Sequence, residues 1–171
     1  PDHHIEWWYI TGHARSGQGA EARDFGFQIT FFRTRVEGTQ QMQSRFAARH
    51  LLFAHAAVTE VQGRRFWHDQ RIARAGFEVG QAGESDTDLR LRDWSLVRAA
   101  NGSYQARIAG TDFALDLSFT PTQELLLQGD RGLSRKGPQP AQFSAYYSQP
   151  QLAFDGAITV RGQRYAVTGD G

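Results

Sequence analysis

The sequence predicts an all-β domain, a closed antiparallel barrel or strongly bent sandwich of about ten strands. Three observations predict it. Apolar residues recur with period two along most of the chain, as half-buried strands require. Twelve Phe, five Tyr and four Trp supply side chains that suit a pleated surface. Eighteen Gly against one Met fit a turn-rich β protein better than a helical bundle. No amphipathic helix longer than about three turns and no solenoid repeat is evident.

Residues 5–11 read as the first strand. Phe25, Phe27, Ile29 and Phe31 then alternate with Gly26, Gln28, Thr30 and Phe32, giving the clearest strand, with one wholly apolar face. Residues 50–61 are apolar on both faces and read as a strand covered on both sides, with a short helix as the competing reading; 66–73 are ambiguous. Leu89 and Leu91 alternate with arginines, and the phase shifts before Trp94 and Leu96, so Asp93 marks a bulge or a break. Asn101-Gly102 is a hairpin signal between 94–98 and 103–109. Phe113, Leu115, Leu117 and Phe119 form a strand ended by Pro121, and Leu125–Gln128 a shorter one. Residues 129–140 are rich in Gly and Pro and basic, which reads as an exposed loop. Strands follow near 143–148, 152–160 and 164–168, the last two joined tightly at Arg161-Gly162-Gln163. Residues 1–171 are therefore expected to form one domain, consistent with typical domain size.

Composition excludes several functions. The net charge is +1, and Lys136 is the only lysine among 19 Lys and Arg. The arginines are scattered and matched by acids, so no concentrated basic face for nucleic acid is expected. With no cysteine, disulfides, thiolate metal sites and a Cys nucleophile are excluded. No stretch approaches the ~20 apolar residues of a membrane span, and no signal peptide is recognisable. No nucleotide or metalloprotease motif is present, so no cofactor and no metal is expected.

Candidate chemistry is densest in Asp2-His3-His4-Ile5-Glu6-Trp7-Trp8-Tyr9. On a strand Glu6 and Trp8 share one face, and Trp7 and Tyr9 the other. A carboxyl beside two indoles can be raised in pKa and serve as a general acid; the alternative is a structural ion pair with an arginine. A metal site from His3, His4 and Glu6 is disfavoured, because neighbouring strand residues point to opposite faces. His55 lies in an apolar run and reads as a hydrogen-bonded core residue or as a pocket acid or base. Tyr146, Tyr147 and Ser148 offer hydroxyls to a ligand, or the tyrosines pack with their hydroxyls capped.

Taken together, these segments resemble a known family. Glu6-Trp7-Trp8-Tyr9-Ile10-Thr11-Gly12 is similar to the opening motif of the carotenoid 1,2-hydratase and AttH-like family of lipocalin-like proteins, also described as predicted secreted hydrolases. Phe25-Gly26-Phe27-Gln28 with Phe31-Phe32-Arg33, Phe53-Ala54-His55-Ala56-Ala57 and Trp94-Ser95-Leu96 resemble its next segments. Gln128-Gly129-Asp130 and Gly132–Gly137 resemble its basic loop, and Tyr146-Tyr147-Ser148 and Val167-Thr168-Gly169 close a series that covers nearly the whole chain in the family's order.

The resemblance implies a lipocalin-like fold and a partner: a second lipocalin-like domain of the same protein, which this stretch lacks. It implies hydration, hydrolysis or cyclisation of a small hydrophobic, isoprenoid- or lipid-like molecule, with the acid that protonates the alkene lying beyond Gly171. The chain is thus expected to be a fragment whose last strand is an exposed edge. Glu6 and His55 are the candidate catalytic residues, and Trp7, Trp8, Gln28, Tyr146 and Tyr147 the candidate ligand-binding residues. A rival reading is a periplasmic carrier that passes an apolar ligand to an ABC-type transporter; it needs only an apolar pocket. In a third reading Glu6 and the Trp pair hold two domains together. The resemblance also implies a periplasmic or secreted location, with a membrane anchor as an option.

Overall fold

The computed structural model describes residues 5–77, 79–139 and 142–171. Eleven strands form one antiparallel sheet that curls into a nearly closed barrel. They are β1 (Ile5–Ser16), β2 (Arg23–Arg35), β3 (His50–Glu60), β4 (Arg65–Arg74), β5 (Gly80–Ala82), β6 (Asp88–Leu91), β7 (Trp94–Arg98), β8 (Tyr104–Ala109), β9 (Phe113–Pro121), β14 (Leu152–Val160) and β15 (Gln163–Asp170). Between β9 and β14 the chain leaves the sheet as an arm. The arm holds two short ladders, β10 (Leu126–Leu127) with β13 (Tyr147–Ser148) and β11 (Leu133–Arg135) with β12 (Phe143–Ala145). A 3-10 turn at Gly19–Glu21 joins β1 to β2. Among the described residues no helix is long and apolar enough to cross a membrane.

The order around the sheet is β4-β3-β2-β1-β15-β14-β9-β8-β7-β6-β5. The alternation that marked β2 sends Phe25, Phe27, Ile29 and Phe31 inward, where Leu52, Ala54, Ala56 and Val58 of β3 meet them. Phe113, Leu115, Leu117 and Phe119 of β9 close the far wall. Fully burying each such large side chain contributes about 1.5–3 kcal/mol. Phe27, Phe119 and Phe154 pack ring against ring at centroid distances of 5.2–6.0 Å. Gly156 of β14 has φ +146, and a Cβ there would meet the Asp116 carbonyl oxygen at 2.1 Å, so only glycine fits at that bend.

The seam between the two edges is tied by polar side chains. Arg33 of β2 reaches across the shell to the Ala82 carbonyl at 3.3 Å. Asp69 of β4 accepts from the Thr111 amide at 3.0 Å and its hydroxyl at 3.1 Å, in the turn after β8. Arg71 pairs with Asp69 at 2.9 Å, donates to the Ala109 carbonyl at 2.9 Å and lies 4.8 Å from the centre of the Trp94 ring. Trp94 Nε1 donates to the same carbonyl at 2.7 Å.

Several expectations are corrected. The covered-on-both-sides strand at 50–61 is covered on its inner face only; Phe53 and His55 face outward, and stacking of Phe32 on Phe53 at 4.6 Å shields that outer surface. Of the two readings of Asp93 the break holds and the bulge does not: Arg92-Asp93 is a two-residue hairpin turn pairing Leu91 with Trp94, with Arg92 at φ +57. The ambiguous 66–73 is strand β4. The loop at 129–140 contains strand β11. The last strand is no edge, because β15 lies between β1 and β14; the edges are β4 and β5. The expected shell of about ten strands holds as a sheet of eleven; among the described residues the arm adds four short segments.

Asp69 gives a pH prediction. Burial opposes ionisation of its carboxyl, but hydrogen bonds from Gln70, Arg71 and Thr111 outweigh it and hold the pKa below the ordinary value. A depressed folded-state pKa contributes stability that is fully present above the unfolded carboxyl value of about 3.9 and is lost as the pH falls through the lower folded value. Asp69→Ala is expected to lower unfolding free energy at pH 7 by about 1–3 kcal/mol, by stripping partners from Thr111 and Arg71. Denaturant titrations should show that deficit shrinking as the pH drops below about 4; a deficit unchanged at low pH would contradict the role given to the carboxylate.

Candidate functional site: a cleft at the free edge of the first strand

β1 pairs with β2 along its whole length, from Ile5 with Thr34 to Ser16 with Arg23. With β15 it pairs only at His13, Ala14 and Arg15. Among the described residues no strand pairs with the other edge of Ile5–Gly12. The wall therefore splits, and Gly171 sits at the apex of the split, exchanging backbone hydrogen bonds of 2.7 and 2.9 Å with Leu152. Across the gap stand Thr87, Leu96, Tyr104 and Leu152.

A cavity of about 820 Å³ occupies this split and wraps around the free edge of β1. Both faces of the strand line it. Trp8 lies opposite buried Phe31 and Glu6 opposite buried Arg33, so these two face the barrel interior. Trp7, opposite Phe32, and Tyr9, opposite Thr30, face outward towards the arm. The arm covers that side with Phe143, Tyr146 and Tyr147. Tyr104 ties the end of the arm down, its hydroxyl donating to Gln149 Oε1 at 2.6 Å.

Two polar clusters interrupt the aromatic lining. Inside, Arg33 donates from Nε and Nη2 to Glu6 Oε2. The Arg33 side chain is only 8% exposed, so this is a nearly buried ion pair at the inner rim, the structural alternative weighed for Glu6. Arg33 also lies 5.9 Å from the centre of the Trp8 ring. Outside, the Tyr9 and Tyr146 hydroxyls are 2.7 Å apart, and Trp7 leans on the Tyr146 ring at 6.5 Å. The hydroxyl bond raises the pKa of Tyr9, with burial adding to it. Tyr146 is the more acidic partner: the bond from Tyr9, then one with Ser148 and the charge of Lys136 lower its pKa. The Lys136 ammonium lies 5.8 Å from the centre of the Tyr146 ring. Burial is the largest cause raising the Tyr104 phenol, and Arg98 opposes it.

The structure thus brings Glu6, Trp7, Trp8, Tyr146 and Tyr147 to one cavity. It places the other two candidates elsewhere. His55 is exposed on the outer face of β3, beside the rings of Phe32 and Phe53 at 5.7 and 6.1 Å. Gln28 is exposed on the outer face of β2, its amide donating to the Thr30 hydroxyl at 3.2 Å. His3 and His4 lie outside the described residues. Arg33, Tyr9 and Tyr104 were missed as site residues. Arg33 was legible only in retrospect, as an arginine inside an otherwise apolar strand.

Fold and cleft define the class: a lipocalin-like β shell with a lateral, aromatic-lined cavity. The model of the AttH-like family matches residues 1–171, and the chain belongs to that family. A protein from Nitrosomonas europaea described as a candidate AttH is 44% identical, with a TM-score of 0.84 over 99% of this chain and 49% of that one. Kievitone hydratase from Nectria haematococca shares the fold at 9% identity, with a TM-score of 0.69 over 96% of this chain and 46% of that one. The chain therefore spans about half the length of each. No curated protein matches.

The tyrosine pair is testable by itself. In Tyr146→Phe, Tyr9 loses its hydroxyl partner, and its late ionisation should move back towards the ordinary phenol value of about 10. Ultraviolet titration of the tyrosines checks this; an unchanged late-ionising group other than Tyr104 counts against the pairing.

Proposed function

We propose that this domain supplies one wall of a pocket for a small hydrophobic molecule, isoprenoid- or lipid-like, in a protein of hydratase type. The observation that carries the reading is the cavity at the free edge of β1, large enough for a ligand of that size and lined chiefly by aromatic and aliphatic side chains. Trp7, Trp8, Tyr146 and Tyr147 offer ring faces to an apolar chain, and such faces also stabilise a developing cation. Hydration of an alkene adds a proton to one carbon and water to the cation at the other, and the added water then gives up a proton. In this reading Glu6, which lines the cavity at its inner rim, accepts that proton or orients the water. The proton donor to the alkene is assigned to the remainder of the protein. A second lipocalin-like domain there would complete a pocket that this half leaves open along the β1 edge. His55 and Gln28 have no part in this reading.

The experiment uses the full-length protein and farnesol as probe. Tryptophan quenching should report saturable binding, and mass spectrometry should find a product heavier by one water. Trp7→Ala, which removes an outward-facing ring, is expected to weaken binding by about tenfold. Glu6→Gln keeps the shape but discharges one partner of a nearly buried pair, so it should cost about 3–5 kcal/mol of stability and also lower turnover per folded molecule. Binding without product in the wild type would favour the carrier. No binding, or binding indifferent to Trp7, would contradict the pocket.

A further inference from the structure

The opposite mouth of the barrel holds a second cavity, of about 510 Å³, that the reading above does not use. It lies between the β3–β4 connection at 61–64 and the β14–β15 turn at Arg161-Gly162. Arg23, Arg65 and Arg161 line it, with Glu60 as the single carboxylate. Trp67 and Tyr165 give it an apolar floor; both pack on the core, Tyr165 against Phe25 at 5.1 Å.

What sets this hollow apart is that three arginines converge on it. Among the described residues, Arg23, Arg65 and Arg161 form no ion pair with any carboxylate. Three arginines and one glutamate line a concave site with an apolar floor, Arg65 and Arg161 also border an adjoining hollow with Asp112, and the remaining excess of positive charge raises the local potential. Arg161 sits in a tight turn at φ +48, its amide donating to the Asp112 carbonyl at 2.8 Å. Beside the cavity, Val61 and Phe66 expose apolar surface, at 52% and 62%.

We propose that this mouth binds a phosphate group carried on an apolar or aromatic body. Guanidinium forks match phosphate oxygens with two parallel hydrogen bonds. The Trp67 and Tyr165 rings and the apolar rim take the attached body. The same chemistry is offered by a free phosphorylated aromatic and by an anionic lipid headgroup, and two arms separate these sources.

The first arm titrates the full-length protein calorimetrically with 1-naphthyl phosphate and with neutral 1-naphthol. The second measures co-flotation with vesicles of phosphatidylglycerol or of phosphatidylcholine alone. The expected result is binding of the phosphate form or the phosphatidylglycerol vesicles, weakened by raised salt and at least about tenfold weaker in Arg65→Gln/Arg161→Gln. Whichever arm responds names the source. Both substitutions are at the surface, and an unchanged melting temperature will show that the fold is kept. Arg65→Gln alone is read instead if the double variant melts early. Failure of both arms, or binding equal in wild type and variant, overturns the proposal. Farnesol binding at the lateral β1 cleft is independent of either outcome.

Discussion

The architecture depends on one unequal pairing. β1 is bonded to β2 along twelve residues but to β15 at only three. A fully zipped sheet would place backbone hydrogen bonds where the cavity now lies. Among the described residues nothing pairs with the second edge of Ile5–Gly12, and the wall opens there into a wedge. Everything at the candidate site follows from that wedge. Both faces of Ile5–Thr11 reach one space, which an internal strand of a closed barrel cannot offer. The free edge also carries unpaired backbone groups, which must be met by water, a ligand or another chain segment.

The site is held from both sides of that edge by different chemistry. On the inside a nearly buried Arg33 fixes Glu6 and reaches on to Ala82, so the carboxylate is coupled to the barrel seam. A pair taken out of water in this way is poor evidence of added stability. On the outside the contact is between phenols: Tyr146 comes from an arm that leaves the sheet, and its hydroxyl bond to Tyr9 joins arm to wall, as the Tyr104–Gln149 bond does at the arm's end. The inner side is therefore built on rigid strands and the outer side on short two- and three-residue ladders. Local stability should be lower in the arm, which is where entry of a ligand would be accommodated.

Much of the fold was legible in the residues. The strict alternation of Phe25 to Phe31 gave β2 and its buried face, and Asn101-Gly102 and Arg161-Gly162 gave two hairpins. The interruption at Asp93 was legible as a phase shift, but not that it is a two-residue hairpin, because the residue at positive φ is Arg92 and not the glycine or asparagine that signals such turns. The exposure of His55 was hidden for a different reason. Period two assigns neighbours to opposite faces but not which face is inside, and the Phe32–Phe53 stack on the outer surface mimics a core pattern. Of the site, the Glu6-to-Tyr9 run was visible as a dense motif. Its partners were not, since Arg33 is 27 residues away and Tyr146 is 137 away from the side chains they bind. Pairings of that range are set by sheet order, which local pattern does not encode.

The most direct measurement is a crystal structure of the full-length protein grown with farnesol. The wedge at β1 predicts ligand density between Trp8 and Tyr104 on one side and Trp7 and Tyr146 on the other. A wedge filled by protein side chains, or zipped shut by a further strand paired along Ile5–Gly12, with the ligand bound elsewhere or not at all, would contradict it.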